Sequence, residues 1–142
     1  INELIQTLWR SYRFKIKAGV EFRTELPAES YIIHTERNRL SQVLANFINN
    51  ACKYTFEGMI TIGYEIGKNN IYFFVSDTGK GIAEENISRV FERFAKLDSF
   101  TQGTGLGLSI CELIIKHLGG EIGVESSVGK GSTFWCTVPT RK

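Results

Sequence analysis

Residues 46–54, with the sequence NFINNACKY, continue an apolar-periodic run that predicts an amphipathic helix near residues 36–54. At about 100° per residue, one stripe of this helix is polar and carries Asn46, Asn49, Asn50 and Lys53. A different stripe is apolar and carries Leu40, Val43, Leu44, Phe47, Ile48 and Ala51. A merely solvated face usually holds Lys, Glu, Gln or Arg, because asparagine is a weaker helix former. The polar stripe is therefore predicted to serve a function that needs short amides.

Length and composition indicate one domain with a sizeable core, because the chain has 142 residues of which 42% are hydrophobic and 23% charged. The net charge of +2 is too balanced to favour nucleic acid or a membrane surface as a partner. Residues 71–75 form the longest apolar run, which is too short to span a bilayer. The chain begins at Ile1 without a signal peptide, so we expect a fragment of a larger protein. Three cysteines without C-x-x-C spacing are predicted to be buried free thiols in a reducing compartment: Cys52, Cys111 and Cys136.

The remaining pattern is mixed α/β, without a linker that would divide it into two domains. We predict helices near residues 2–16 and 104–118, the second ending at Gly119-Gly120, and a weaker helix near 84–94. Strands are predicted near residues 20–26, 31–34, 58–66, 70–76, 121–125 and 132–138. The economical architecture is a two-layer α/β sandwich in which about three helices cover one face of a mixed sheet.

Two glycine-rich loops carry the candidate chemistry. Residues 77–81, DTGKG, follow an apolar strand, so the Asp77 carboxylate could accept a hydrogen bond from a ligand amine, although D-x-G is also common turn chemistry. Residues 103–108, GTGLGL, begin the strongest predicted helix, where backbone N–H groups can bind phosphate. Residues 129–132, GKGS, look like a P-loop fragment, but a strand follows where a helix would be needed, so they predict a hairpin turn.

The order of these segments resembles the catalytic and ATP-binding domain of sensor histidine kinases, members of the GHKL ATPase superfamily. The resemblance extends from about residue 15 to Pro139 and rests on four boxes: RLSQVLANFINNACKYT, VSDTGKGI, VFERF and GTGLGLSI. It implies a Bergerat-type ATP-binding fold, Mg²⁺ and ATP as cofactors, and activity as a protein histidine kinase in a two-component system. The implied partners are a dimerisation domain that carries the phosphoacceptor histidine, and a downstream response regulator. The implied location is cytoplasmic, as part of a membrane-anchored sensor.

The resemblance also assigns roles to individual residues. Asn50 matches the position that holds Mg²⁺, and Asn46 matches the position where hydrolysing relatives carry a glutamate that activates water. Because an amide cannot take a proton at neutral pH, Asn46 would not promote hydrolysis. Lys53 would reach phosphate, Tyr54 would flank the adenine, and Asp77 would accept from the exocyclic amine. Asn49 is left open between site and surface.

The other implied contacts with nucleotide lie in the glycine loops and in a mobile lid spanning roughly residues 84–104. They are Gly79, Gly81, Ile82, Phe94, Lys96, Gly103, Thr104, Gly105, Leu106, Gly107 and Leu108. The family often has an arginine where Lys96 stands, and a lysine keeps the charge but loses the bidentate fork. Arg93 is the alternative cation, and the lid is expected to pack through Phe91, Phe94 and Phe100.

Neither His34 nor His117 lies in a context that resembles the family's phosphoacceptor motif, H-E-x-x-T/N-P, so both are expected to be structural. Two alternatives to a kinase domain remain open. One is a hydrolysing GHKL ATPase, which Asn46 and the compact lid disfavour. The other is a nucleotide-binding module without transfer activity, which the intact boxes disfavour.

Overall fold

The computed structural model describes residues 1–16, 18–27, 37–55, 58–79, 105–127 and 131–140. Within these ranges the helices are α1 (Asn2–Tyr12), α2 (Arg37–Tyr54) and α3 (Gly105–His117), with a short 3-10 helix at Arg13–Lys15. The strands are β1 (Val20–Glu25), β2 (Gly58–Ile66), β3 (Asn70–Asp77), β4 (Ile122–Ser127) and β5 (Gly131–Pro139). The side chains of residues 53, 54, 105–109 and 127 are outside this description.

The strands form one mixed sheet in the order β1-β2-β3-β5-β4. β1 pairs with β2 in parallel, and the other neighbours pair antiparallel. Ile60, Asp77 and Ser132 lie in one row across the three central strands, at the carboxyl end of β3. Asp77 is opposite Ile60 on β2 and opposite Ser132 on β5. Placing β5 between β3 and β4 brings the last strand of the chain beside the carboxyl end of β3.

The helices pack on one face of the sheet, which we term the covered face. The apolar stripe predicted for α2 is confirmed, since all six of its residues are buried: Leu40, Val43, Leu44, Phe47, Ile48 and Ala51. The Phe47 ring lies 5.6 Å from the ring of Phe134 on β5. From α1, Leu4, Ile5 and Leu8 complete the same core. The opposite side of α2, with the asparagines, is thereby turned away from the sheet.

Most predicted elements are confirmed to within a few residues. The predicted first helix is shorter than expected, because its last turn tightens into the 3-10 helix after Tyr12. β4 and β5 are both longer than predicted, since Ser127 pairs with Gly131 directly across the connection. Of the predicted hairpin turn at residues 129–132, Gly131 and Ser132 belong to β5, and residues 129 and 130 lie outside the described residues. The predicted strand at 31–34, the weak helix at 84–94 and the lid at 84–104 fall outside the described residues.

The cysteine prediction is confirmed for two of the three residues. Cys111 and Cys136 are buried thiols without a disulfide, whereas Cys52 is only partly buried. Burial raises the pKa of the Cys111 thiol to about 12 and raises the pKa of Cys136 as well, so both thiols are neutral at physiological pH. Among the described helices, none is long and apolar enough to cross a membrane.

Candidate nucleotide site

Four polar side chains are buried in the described part of the chain, and all lie on the covered side of the sheet. They are Asn50, Thr55, Asp77 and Ser132, with 6%, 1%, 8% and 8% of their surface exposed. Burying a polar group is costly unless it is hydrogen-bonded, so a cluster of this kind needs a reason. Asn50 and Asp77 were among the residues selected from the sequence, whereas Thr55 and Ser132 were not.

The asparagines of α2 are held by their own helix. Asn46 Nδ2 donates to the Gln42 carbonyl oxygen at 3.0 Å, and Asn50 Nδ2 donates to the Asn46 carbonyl oxygen at 3.3 Å. Each bond reaches back one turn and ties the amide nitrogen to the backbone. The Asn50 side-chain oxygen remains as the group that a ligand can meet. An amide oxygen is a ligand that Mg²⁺ accepts, so Asn50 fits the metal role expected of it.

Asn46 also contacts the neighbouring helix α3. Its side chain hydrogen-bonds with the thiol of Cys111, which lowers the pKa of that thiol, although burial has the larger and opposite effect. The Cys111 Sγ lies 4.0 Å from the Val43 carbonyl oxygen. These contacts place α3 directly alongside the asparagine helix, so the helix that begins at Gly105 is a neighbour of Asn46.

Asp77 ends β3 on the covered face, and its carboxylate is partly fixed. The Gly79 backbone N–H donates to Asp77 Oδ1 at 2.8 Å. Burial raises the pKa of Asp77, and the N–H groups of Gly79 and Ser132 and the Thr55 hydroxyl lower it in part. A carboxylate offers about four acceptor positions, so the buried Asp77 side chain can still accept from a ligand amine.

Gly131 lets β5 approach Asp77 closely. Its φ is +100°, in the region that favours glycine, and a Cβ at this position would collide with the Asp77 carbonyl oxygen. Ser132, the next residue, is thereby brought beside the carboxylate. From the sequence, residues 129–132 are predicted only to form a turn. No sequence signal indicated that the strand after this turn would complete the surroundings of Asp77.

Thr55 is the other residue that sequence reasoning missed. Its backbone N–H donates to the Ala51 carbonyl oxygen at 3.0 Å, which continues the last turn of α2. Its hydroxyl oxygen is inaccessible to water and makes no hydrogen bond of normal geometry with any described residue. Threonine after a helix is common, so the residue type alone gave no signal.

The remaining predicted site residues are described in part or not at all. Lys53 and Tyr54 lie in the last turn of α2, and Gly105, Leu106, Gly107 and Leu108 form the first turn of α3. This confirms that the second glycine box begins a helix, but the side chains of these residues are not described. Gly81, Ile82, Phe94, Lys96, Gly103 and Thr104, together with Arg93, lie outside the described residues.

Comparison with known proteins gives consistent results. Residues 35–142 match the family model described as "Histidine kinase-, DNA gyrase B-, and HSP90-like ATPase". Sensor protein SrrB of Staphylococcus aureus is 44% identical over 109 residues, which cover 73% of this chain and 19% of that protein. The chain thus spans about a fifth of the length of this curated relative.

Solved structures show the same fold. The catalytic domain of histidine kinase ThkA in a nucleotide-free form superposes with a TM-score of 0.88 at 35% identity, covering 99% of this chain and 92% of that one. Full-length ShkA in complex with AMPPNP gives a TM-score of 0.86 at 30% identity, covering 96% of this chain and 29% of that one. The predicted two-layer fold of the Bergerat type is therefore confirmed.

Proposed function

Because this chain belongs to the histidine kinase-, DNA gyrase B- and HSP90-like ATPase family and is an ATP-binding domain of the histidine kinase type, we propose that it binds Mg-ATP and donates the γ-phosphoryl group to a histidine of a separate dimerisation domain. The observation that carries the proposal is the set of four buried polar residues on the covered side of the sheet, Asn50, Thr55, Asp77 and Ser132, of which Thr55 and Ser132 interact with Asp77. Residues 1–142 form the single catalytic domain of this larger, dimeric sensor. Its downstream partner is a response regulator, and its location is the cytoplasmic side of a membrane-anchored protein.

In this proposal, Asp77 recognises the adenine base. Its Oδ1 is held by the Gly79 N–H at 2.8 Å, so the other carboxylate oxygen can accept from the exocyclic amine of adenine. Guanine presents a carbonyl oxygen at the equivalent position, and two acceptors facing each other repel. The domain should therefore prefer ATP and ADP over GTP.

Asn50 holds the metal in this proposal. Its Nδ2 is tied to the Asn46 carbonyl oxygen, so its side-chain oxygen is the atom presented to a cation. When bound, Mg²⁺ would neutralise charge on the phosphate oxygens, which phosphoryl transfer requires more than covalent help from the protein. Lys53 adds a positive charge from the same helix.

Asn46 favours transfer to a histidine over transfer to water. Its Nδ2 donates to the Gln42 carbonyl oxygen, and its side chain also contacts Cys111, so the amide is fixed in place. An amide has no basic lone pair that could accept a proton from water at neutral pH. ATP bound beside Asn46 is therefore hydrolysed slowly and is kept for the phosphoacceptor.

The other residues that we propose to contact nucleotide follow from the family resemblance. Tyr54 flanks the adenine, and the remaining contacts come from the two glycine loops and the lid: Gly79, Gly81, Ile82, Phe94, Lys96, Gly103, Thr104, Gly105, Leu106, Gly107 and Leu108. Support for the second loop comes from α3, whose N-terminal backbone N–H groups begin at Gly105, as a phosphate-binding helix requires.

The test is incubation of the 142-residue chain with γ-labelled ATP and Mg²⁺, with and without its dimerisation domain. We expect an acid-labile, base-stable phosphohistidine on the added domain, very slow hydrolysis without it, and no label on His34 or His117. Asn50→Ala should prevent the transfer. Rapid hydrolysis by the chain alone would indicate a hydrolysing ATPase instead, and binding without any transfer would indicate a nucleotide-binding module.

A further inference from the structure

Thr55 joins the two parts of the proposed site. Its backbone continues α2 through the hydrogen bond to the Ala51 carbonyl oxygen, so it moves with the helix that carries Asn46 and Asn50. Its side chain reaches the surroundings of Asp77 on β3, where the hydroxyl lowers the pKa of the carboxyl.

The Thr55 hydroxyl is a buried polar group. Thr55 is 1% exposed, and its Oγ1 has no hydrogen-bond partner of normal geometry among the described residues. A buried hydroxyl left unpaired costs about 1–3 kcal/mol, so such groups are rare in native proteins. The hydroxyl can act as donor or acceptor and needs only to rotate about its Cα–Cβ bond to reach a partner.

The Asp77 carboxylate is the matching acceptor. An ionised carboxylate offers about four acceptor positions, and the described structure occupies Oδ1 with the Gly79 N–H. A ligand amine would need the ionised form of Asp77, which burial disfavours. A donor in addition to the N–H groups of Gly79 and Ser132 would stabilise that form and fix the plane in which the remaining lone pairs lie.

We propose that Thr55 is a positioning residue for base recognition, whose hydroxyl donates to the Asp77 carboxylate when the exocyclic amine of an aminopurine nucleotide is bound. This inference rests on the proposed function, because it assumes that Asp77 contacts the base. Thr55 itself does not touch the ligand in this arrangement. Its hydroxyl favours the ionised form of the Asp77 carboxylate and fixes the orientation of that group. Because Thr55 continues α2, it also links base recognition to the asparagines of that helix.

The experiment compares two nucleotides that differ only in the amine. Calorimetry would measure the affinity of the 142-residue chain for ATP and for purine riboside triphosphate, which lacks the exocyclic amino group. Thr55→Val keeps the shape and removes the hydroxyl, and we expect it to weaken ATP binding by roughly ten-fold, as for loss of a hydrogen bond to a charged group. Binding of purine riboside triphosphate should change by less than about two-fold, because that bond matters only when the amine is present.

Three variants make the result specific. Thr55→Ser restores a hydroxyl and should recover most of the affinity for ATP. In the Asp77→Asn background, Thr55→Val should have little further effect, because the two residues act as one unit. Thr61→Val is the matched control, since Thr61 is a partly buried threonine at an odd-numbered position of β2, on the other face of the sheet from Ile60 and Ile62. Thermal melting would establish that each variant is folded, and Thr55→Ala replaces Thr55→Val if the latter is not.

Each outcome separates the two hypotheses. If the unmodified chain binds ATP no better than purine riboside triphosphate, the role of Asp77 in the proposed function is wrong. If the unmodified chain prefers ATP but Thr55→Val binds it equally well, only the role of Thr55 is wrong. Equal losses for both nucleotides would also overturn it, because they would indicate a general structural effect.

Discussion

The two faces of the sheet exclude water in different ways. On the covered face, Ile62, Phe73 and Val75 are fully buried beneath the helices. On the other face, which no described helix covers, the rings of Tyr72, Phe74 and Trp135 lie against one another. The centroid distances are 5.9 Å between Tyr72 and Phe74 and 5.7 Å between Tyr72 and Trp135.

Glycines on neighbouring strands make room for these rings. A Cβ at Gly63 would lie 2.9 Å from the Phe74 ring, and one at Gly123 would lie 2.5 Å from the Trp135 ring. The rings of the uncovered face therefore pack against glycines of the sheet itself, while the covered face is buried by separate helices. The four buried polar residues are all found on the covered side.

The largest effect that we expect is on the covered face. Phe47→Ala should reduce the free energy of unfolding by about 3–5 kcal/mol, because it leaves a cavity between α2 and Phe134. Urea denaturation measures this loss. Phe14→Ala is the control, since Phe14 is 82% exposed and its removal should change stability by less than about 0.5 kcal/mol. Similar values for the two variants would mean that α2 does not provide the main core.

A smaller effect is expected on the uncovered face. Gly123→Ala should cost about 1–3 kcal/mol, because the added methyl group collides with the Trp135 indole, which must shift away from Tyr72. The double variant with Trp135→Leu tests the cause. If the collision is responsible, the second substitution should remove most of the cost of the first. Strictly additive losses would show that the glycine is needed for another reason.

Much of this contrast was predictable from periodicity. The 3.6-residue pattern identified the buried stripe of α2, and alternation with period two predicted the strand at residues 20–26, which the structure has as β1. The order of the four boxes then indicated the family and, with it, Asn50 and Asp77. Periodicity is local, and the order of the boxes follows the chain, so both can be recognised from the sequence alone.

The rest depends on contacts between distant segments. Thr55 and Ser132 are 77 positions apart by number. Ser132 is brought to Asp77 because β5 pairs with β3, and Thr55 is brought there because α2 packs on β3. The role of Gly131 likewise depends on its φ of +100° and on the position of the Asp77 backbone. Hydrophobic patterning cannot identify a buried polar group, because it assigns polar residues to the exposed surface.

On the polar side of α2, a substitution should affect nucleotide binding much more than the free energy of unfolding. Asn50→Ala should change the free energy of unfolding by less than about 1 kcal/mol, since alanine is the better helix former and the bond that is lost is long, at 3.3 Å. The same variant should lose the Mg²⁺-dependent part of its affinity for ATP, measured by calorimetry with and without the metal. Unchanged dependence on Mg²⁺ would contradict the metal role of Asn50.

The smallest effect concerns the charge of Asp77 in the empty domain. Burial raises the pKa of this carboxyl in the folded state above its value in the unfolded chain, so the folded state binds the proton more readily. Below the unfolded pKa of about 3.9, Asp77 is neutral in both states, so its charge does not reduce the free energy of unfolding. As the pH rises through the folded pKa, the buried group ionises and the stability that it contributed is lost.

Asp77→Asn isolates this effect, because the amide oxygen can still accept from the Gly79 N–H but the side chain does not titrate. The variant should therefore gain stability relative to the unmodified chain as the pH is raised from about 3.9, the unfolded pKa, towards 7, although it should no longer prefer ATP over GTP. Urea denaturation at each pH measures the difference between the two proteins, in which the other titrating groups cancel. If that difference does not change with pH, the folded carboxyl has the same pKa as the unfolded one. If it changes in the opposite direction, the donors of Gly79, Ser132 and Thr55 outweigh burial, and the empty site already holds Asp77 in its ionised form.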